Sequence, residues 1–156
     1  MTIRKIAIGF ALCLLVSMFG FGMEDNLHMG TWKLNEAKSK LAPRAPKNTT
    51  VVYEAAGDNT KVTVDGVDAS GNPTHNEWTG KFDGKDYPVT GDPTHDTRSY
   101  KPDTGHAMSM TLKKGGKVVG RGRIVVAPDG KSRTVTTHAT DSKGAKVTST
   151  AVYDKQ

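Results

Sequence analysis

The chain has 156 residues and a formal net charge of +6, from 22 lysines and arginines against 16 aspartates and glutamates. That length suits one domain and is too short for two comfortable ones. The basic residues are scattered over turns and alternate strand positions. Nucleic-acid binding would need a clustered basic stripe interleaved with aromatic residues, so we expect no nucleic-acid partner.

The first part of the chain, residues 1–22, has the pattern of a signal peptide. A positively charged start is followed by an apolar run over 6–21, after which the chain turns polar. The run is too short for a comfortable membrane span, so we predict an exported protein, periplasmic or extracellular, with no membrane span in the mature chain. An uncleaved anchor is the alternative. The single cysteine, Cys13, lies inside the run, so the mature domain, 23–156, has neither disulfides nor thiolate metal ligands.

Short runs that alternate apolar and polar residues fill the rest of the chain. In Lys61-Val62-Thr63-Val64-Asp65 every second residue is apolar, and Thr and Val are frequent throughout. A period of two predicts half-buried β-strands. Turn pairs such as Asp83-Gly84 and Gly115-Gly116 separate the runs and suit tight hairpins. The predicted strands cover residues 30–35, 49–56, 60–67, 74–82, 85–90, 96–101, 106–113, 117–127, 132–140 and 145–153.

Consecutive strands with tight links predict an all-β fold, an antiparallel up-and-down meander closed into a barrel of eight to ten strands. Closure removes the exposed edges of an open sheet. A two-sheet sandwich is the alternative. One longer link runs from Glu36 to Lys47, where Pro43 and Pro46 rule out a long helix. We expect a short helical turn near 36–41 that caps one end of the barrel.

One short repeat is visible. Residues 71–76, Gly-Asn-Pro-Thr-His-Asn, return at 91–96 as Gly-Asp-Pro-Thr-His-Asp. The Asn-Pro and Asp-Pro pairs start turns, and Thr favours the strand that follows. Two copies do not make a solenoid, and we interpret the repeat as recurrent turn chemistry, with a functional role as the alternative.

The first predicted strand opens with Gly30-Thr31-Trp32, which resembles the motif that begins the barrels of the lipocalin and calycin group. The stretch from Gly30 to the terminal Ala151-Val152-Tyr153 also resembles small exported bacterial lipocalin-like proteins of unassigned function. The resemblance implies that Trp32 closes the base of the barrel, that Gly30 lets the chain bend there, and that a late arginine stacks on the Trp, for which Arg133 is the candidate. The second lipocalin motif is absent, and ten strands are closer to the fatty-acid-binding branch.

Two residues in the middle of the chain predict a polar contact with a ligand. Arg98 and Tyr100 are two positions apart and therefore lie on one face of a strand. On an interior face they could clamp a carboxylate, since Arg donates a planar fork of N–H groups and Tyr a single O–H. The fatty-acid-binding branch uses an Arg-x-Tyr of this spacing, although in its last strand. A surface arginine beside a core tyrosine is the alternative.

The predicted barrel interior is mainly aromatic and methionine-rich. Flexible and aromatic side chains of this kind suit an apolar ligand cavity, and they suit a filled core equally well. The predicted interior and ligand-binding residues are Tyr53, Trp78, Phe82, Tyr87, Arg98, Tyr100, Met108 and Met110.

Metal binding and catalysis find little support in the sequence. No histidine has a neighbour at a ligand spacing such as H-x-H, so we expect no metal site and exposed histidines on turns and strands. No Gly-x-Ser-x-Gly elbow, H-E-x-x-H or phosphate-binding glycine loop occurs, so we expect no catalysis. The histidines are His28, His75, His95, His106 and His138.

Taken together, these patterns predict an exported, non-catalytic binding protein for a small apolar or amphipathic ligand, without a cofactor. A structural or envelope interaction protein with a filled barrel and no ligand is the alternative, and a barrel enzyme is a third possibility. The volume of the interior separates the first two, because a carrier needs a few hundred Å³ of enclosed apolar space, on the order of that found in ligand pockets.

Overall fold

The computed structural model describes residues 26–141 and 143–156. The predicted signal peptide, its cleavage point and Cys13 lie outside the described residues, so export stays a prediction. Within the described part, no helix is both long and apolar enough to cross a membrane.

Ten antiparallel strands and one short 3-10 turn make up the described chain, as the alternating pattern predicts. The main difference lies between the fourth and fifth strands. The prediction placed residues 81–82 in the fourth strand and 85–86 in the fifth, whereas the whole of 81–86 is a link between the two strands. The strands are β1 (Gly30–Leu34), β2 (Lys47–Ala56), β3 (Asn59–Val67), β4 (Pro73–Gly80), β5 (Tyr87–Thr90), β6 (Thr97–Pro102), β7 (Ala107–Lys114), β8 (Lys117–Val126), β9 (Ser132–Thr140) and β10 (Lys146–Lys155).

The sheet closes on itself. Each strand pairs with the next strand in the chain, and β1 pairs with both β2 and β10. At the closing seam Leu34 lies opposite Tyr153, and on the other side of β1 Trp32 lies opposite Val51. The predicted closed meander is therefore confirmed, and the alternative of a two-sheet sandwich is wrong. Closure pairs the edge strands that an open sheet would leave exposed.

The alternation of the sequence sets which side chains face inward. In β3, Val62 and Val64 are buried in the interior, whereas Lys61 points outward and its ammonium lies 2.9 Å from a carboxylate oxygen of Glu77 on β4. Turns of the expected kind join the strands. Between β7 and β8, Gly115 and Gly116 both have positive φ, at 55° and 77°, which a tight hairpin requires and which side chains other than glycine rarely adopt.

The longer link between β1 and β2 contains the expected helical turn, which is short and covers Glu36–Lys38. Beyond it the chain runs along β10. Lys40 forms an antiparallel bridge with Thr150, and the backbone N–H of Ala42 donates to the hydroxyl of Ser149 at 2.9 Å. Leu41 packs against the hydrophobic core. This link therefore continues the pairing with β10 that β1 begins, before the chain returns to start β2.

Candidate functional site: the barrel interior

Trp32 lies at one end of the barrel, here called the floor, and its role in closing that end stays a prediction. Its side chain is completely buried, and the indole N–H donates to the carbonyl of His28 at 2.9 Å. Arg133 from β9 lies over the indole, with its guanidinium carbon 4.7 Å from the ring centroid. Gly30 has a φ of +107°, and a Cβ there would lie 3.0 Å from the side chain of Lys155. The chain can thus bend into β1 at this position, as a glycine allows.

Arg133 sits among three aromatic rings at the floor. Its guanidinium carbon is 4.8 Å from the Tyr53 ring centroid and 5.1 Å from that of Tyr153, and the residue is only 2% exposed. Cation–π contacts of this kind are stronger when they are desolvated. Burial raises the pKa of Tyr153 to about 12, so its neutral hydroxyl can donate to the carbonyl of Asn48 at 3.0 Å. The Nε and Nη1 of Arg133 form no hydrogen bond.

His28 is the second buried basic group at the floor. Burial, together with the charges of Arg133, His106 and Lys155, lowers its pKa to about 4. In the unfolded chain the pKa returns to its ordinary value of 6.5. At a pH between these two pKa values, His28 binds a proton in the unfolded chain but not in the folded protein.

We therefore expect stability to fall as the pH drops from about 6.5 to about 4 and this contribution to level off below that. The expected loss is about 2 kcal/mol, less than the full shift implies because solvent lies close to the end of the barrel. Urea unfolding at several pH values in this range measures it. The variant His28→Gln should lose this part of the pH dependence, while the exposed control His138→Gln should keep it. An unchanged pH profile in His28→Gln would contradict the assignment.

Five rings line one side of the interior and form what we call the aromatic wall. They are Tyr53, Trp78, Phe82, Tyr87 and Tyr100. Trp78 is central, with its ring 4.9 Å from that of Tyr100 in an edge-on arrangement and 6.1 Å from that of Phe82 in a stacked one. Gly80 makes room for this packing, because a Cβ there would lie 2.4 Å from the ring of Tyr87.

The aromatic wall lies behind the shortest strand. Two residue pairs join β4 to β5, and two join β5 to β6. The indole N–H of Trp78 donates to the carbonyl of Arg98 at 2.8 Å and thereby links β4 directly to β6. The buried side chain of Trp78 thus connects β4 to β6 at the place where few backbone pairs hold β5.

A polar cluster, here called the Arg98 cluster, lies next to the aromatic wall. Arg98 is 5% exposed, and its guanidinium donates to the hydroxyl of Tyr100 at 3.3 Å and to the side-chain oxygen of Asn76 at 3.1 Å. Its Nε and Nη2 both lie near Nε2 of His95, at 3.3 and 2.9 Å. Asp92 stands behind His95, at 3.4 Å from Nδ1. Burial alone would raise the pKa of Asp92, but hydrogen bonds from His95 and Thr94 outweigh it and hold that pKa below its usual range.

The opposite side of the interior is less tightly filled. Met110 and Leu112 follow the buried Met108 on the same face of β7 and are nevertheless partly exposed. On β8, a Cβ at Gly122 would lie 2.7 Å from the side chain of Met110, so the glycine leaves room at this point. We call this side the open wall. Its inward-facing, half-buried residues are Met110, Leu112, Gly122, Val135, Thr137, Ala139, Val147 and Ser149.

The interior holds more buried positive than buried negative charge, although the partly exposed Asp92 lies behind His95. Among the described residues, the buried polar and charged side chains are His28, Asn76, His95, Arg98, Ser99 and Arg133, and no aspartate or glutamate is among them. Among the described residues, neither of the two buried guanidinium groups forms a direct ion pair with a carboxylate. A buried cation is costly to desolvate, and an anion nearby offsets part of that cost.

Two hollows open directly to solvent. One, of about 380 Å³, lies between the β1–β2 link and the β3–β4 turn and is lined in part by Leu41, Arg44 and Val67. The other, of about 350 Å³, lies where β4 meets β5 and is lined in part by Glu77 and Pro88. Neither is an enclosed chamber, so by the criterion of enclosed volume these two hollows favour the alternative of a filled barrel.

The structure places all eight predicted interior residues against or within the core, although Phe82 lies on the β4–β5 link rather than in a strand. The surface alternative for Arg98 is wrong, because the residue is 5% exposed. Whether any of these residues binds a ligand stays a prediction. The expectation of exposed histidines is wrong for His28 and His95, which are 5% and 4% exposed. Chain topology brings them inside, and alternation does not reveal this because both lie outside the strands.

His95 and Asn76 are two of the buried polar residues whose interior position the sequence did not predict. A signal was present: the repeat changes from Asn72 in its first copy to Asp92 in its second, which places a carboxylate beside a histidine. Among residues 26–141 and 143–156, no three His, Cys, Asp or Glu side chains converge in a way that could hold a metal ion.

No protein-family model matches this sequence, and no curated protein matches it. Among solved structures, the barrel is similar to EF1p2_mFAP2b bound to DFHBI, with 11% sequence identity, a TM-score of 0.46 and coverage of 83% of this chain and 94% of that one. It is also similar to a redesigned β-barrel, mFAP1, bound to DFHBI, with 15% identity, a TM-score of 0.42 and coverage of 83% and 95%. Likenesses at this level carry no conclusion about function.

Proposed function

We propose that the protein is an exported, non-catalytic binding protein of lipocalin-like type that holds a small amphipathic molecule inside its barrel. The observation that carries the proposal is the contrast between the two sides of the interior. The aromatic wall is packed, while Met110, Leu112 and Val135 face inward and remain accessible to solvent. Apolar surface of this kind favours ligand burial, at roughly 25 cal/mol per Å².

The charge of the interior supports an anionic rather than a neutral ligand. Arg98 and Arg133 are buried and no buried carboxylate faces them among the described residues. Arg98 lies beside the hydroxyl of Tyr100, so a ligand head group near this pair would meet a guanidinium and a phenol together. The stacking of Arg133 on Trp32 supports the lipocalin-like assignment, because the resemblance implied that contact.

Binding of a matched pair of ligands tests this proposal. Decyl sulfonate has an ionised head group, and decanol has a neutral one on the same alkyl chain. We expect Arg98→Met to weaken binding of decyl sulfonate about tenfold, which is about 1.4 kcal/mol, because one charge-assisted interaction is lost. Decanol affinity should change little. Isothermal titration calorimetry at about pH 5.5, where the sulfonate is ionised, measures both constants.

The control is Arg121→Met, which removes the same charge from the exposed outer face of β8. It should leave both affinities unchanged. Equal losses in the two variants would show that the effect is one of net charge alone. No binding of either ligand to the wild-type protein, together with native mass spectrometry showing no retained molecule, would contradict the proposal.

The packed floor and the aromatic wall favour a second candidate, a structural or interaction protein with a filled core. Trp32, Trp78 and Met108 are at most 1% exposed, and the two hollows described above open outward rather than into a chamber. Under this second proposal the protein binds neither decyl sulfonate nor decanol, and the two buried arginines serve packing alone.

A further inference from the structure

The two copies of the short repeat place their histidines in opposite environments. His75, in the first copy, points outward from β4, and its Nδ1 lies 2.6 Å from a carboxylate oxygen of Asp65. His95, in the second copy, precedes β6 and points inward against Arg98. Two similar turn sequences, which differ at two of six positions, therefore supply one exposed and one buried imidazole.

The hydrogen bonds of His95 fix where its proton lies. Nε2 faces two N–H donors of Arg98, and a guanidinium has no acceptor, so Nε2 must carry the lone pair. The proton of the neutral ring is then on Nδ1, which faces the hydroxyl of Thr94 at 3.0 Å and a carboxylate oxygen of Asp92 at 3.4 Å.

His95 occupies the edge of Arg98 that is best suited to binding an anion. The adjacent Nε and Nη2 groups form the fork with which arginine binds a carboxylate, phosphate or sulfonate through two parallel hydrogen bonds. In the structure both groups are directed at one nitrogen of His95. A ligand anion would have to displace the imidazole to use that edge.

We propose that His95 is a positioning residue that keeps the anion-binding edge of Arg98 occupied while the imidazole is neutral and releases it when the imidazole is protonated. The inference rests on the proposed function, because it concerns the same interior site. Protonated His95 has no acceptor left for Arg98, and it becomes a second cationic N–H donor beside it. An amphiphile with an anionic head group would then bind more tightly under acidic conditions.

The charged and polar groups around His95 are compatible with both states. Asp92, from the same turn, faces Nδ1 and can pair with the protonated ring. Nη2 of Arg98 donates to Asn76 from β4 at 3.1 Å, and Nη1 donates to the hydroxyl of Tyr100 from β6. We expect both hydrogen bonds to persist when the imidazole no longer accepts from Arg98. The neighbouring Asp96 is directed away, since its carboxylate accepts from the backbone N–H of Gly115.

Calorimetric titration with decyl sulfonate at about pH 7.5 and about pH 5.5 tests the inference, because the sulfonate stays ionised at both values. We expect the wild-type protein to bind roughly tenfold more tightly at the lower pH. His95→Gln should bind weakly with the same constant at both values, because the glutamine oxygen accepts from Arg98 and does not titrate. The matched control His75→Gln changes the exposed copy of the repeat and should behave as the wild type.

The results separate this inference from the proposed function. Wild-type binding that is equal at both pH values, or a pH dependence that survives in His95→Gln, overturns the role of His95 and leaves the binding proposal standing. No binding at either pH overturns the proposed function itself. NMR of the ring nitrogens in the ligand-free wild type gives an independent readout that needs no variant. We expect the Nδ1–H tautomer of His95 at neutral pH, and the Nε2–H tautomer would overturn the inference.

Discussion

Trp32→Ala is expected to lower the free energy of unfolding by about 3–5 kcal/mol. The indole is completely buried and donates a hydrogen bond to the carbonyl of His28, which would lose its partner. The guanidinium of Arg133 would also lose the ring that it covers at 4.7 Å. The loss therefore combines a cavity, an unpaired carbonyl and an exposed face of a buried cation. Urea unfolding followed by circular dichroism measures it.

Two controls separate these contributions. Trp32→Phe keeps a ring beneath Arg133 and removes the indole N–H, so it should cost about 1–2 kcal/mol, as expected for one unpaired buried group and a reduced volume. Val125→Ala removes a side chain that is 40% exposed on the outer face of β8, and its effect should stay within about 0.5 kcal/mol. If Trp32→Ala unfolded at the wild-type urea concentration, the Gly-x-Trp motif would have no role in closing this barrel.

Trp78→Ala is expected to have an effect of similar size, about 3–5 kcal/mol. Trp78 is 1% exposed and contacts three other rings of the aromatic wall, of Phe82, Tyr87 and Tyr100. It also joins β4 to β6 through its bond to the carbonyl of Arg98. Because β5 contributes few ladder bonds, the loss should fall mainly on this part of the barrel.

Hydrogen–deuterium exchange gives that prediction a regional signature. In Trp78→Ala, we expect amide protection to fall most in β5 and β6 and to remain near the wild-type level in β9 and β10, which are joined by nine residue pairs. Trp78→Phe keeps most of the ring contacts and loses the indole donor, so it should show a smaller change in the same region. A uniform loss of protection over all strands would contradict the bridging role.

The strands were predictable because each is encoded locally. Val62 and Val64 alternate with charged and hydroxyl residues, and that period of two identifies a strand and its buried face whatever the strand pairs with. Tight glycine turns then leave antiparallel pairing of neighbours as the simplest arrangement. The limits of β4 and β5 were harder to predict, because Phe82 continues the alternating pattern while the chain already leaves the sheet.

The interior site was predictable only in part. Arg98 and Tyr100 share a face by their spacing alone, yet spacing does not say whether that face is inside. His95 and Asn76 reach Arg98 from a turn and from β4, across contacts that no local pattern encodes. The two copies of the repeat lead to an exposed histidine at 75 and a buried one at 95, so the Pro-Thr-His that they share does not determine burial.

By itself, the sequence determined the all-β class, the ten strands and the residue that begins the barrel, since backbone periodicity and turn chemistry act over a few residues. Only the tertiary structure decided that His95 and Asn76 reach Arg98, and that two guanidinium groups lie inside without a buried carboxylate among the described residues. The burial of these groups depends on contacts between residues far apart in the chain. Closure of the barrel creates them, because it brings distant strands to a common interior and removes that interior from water.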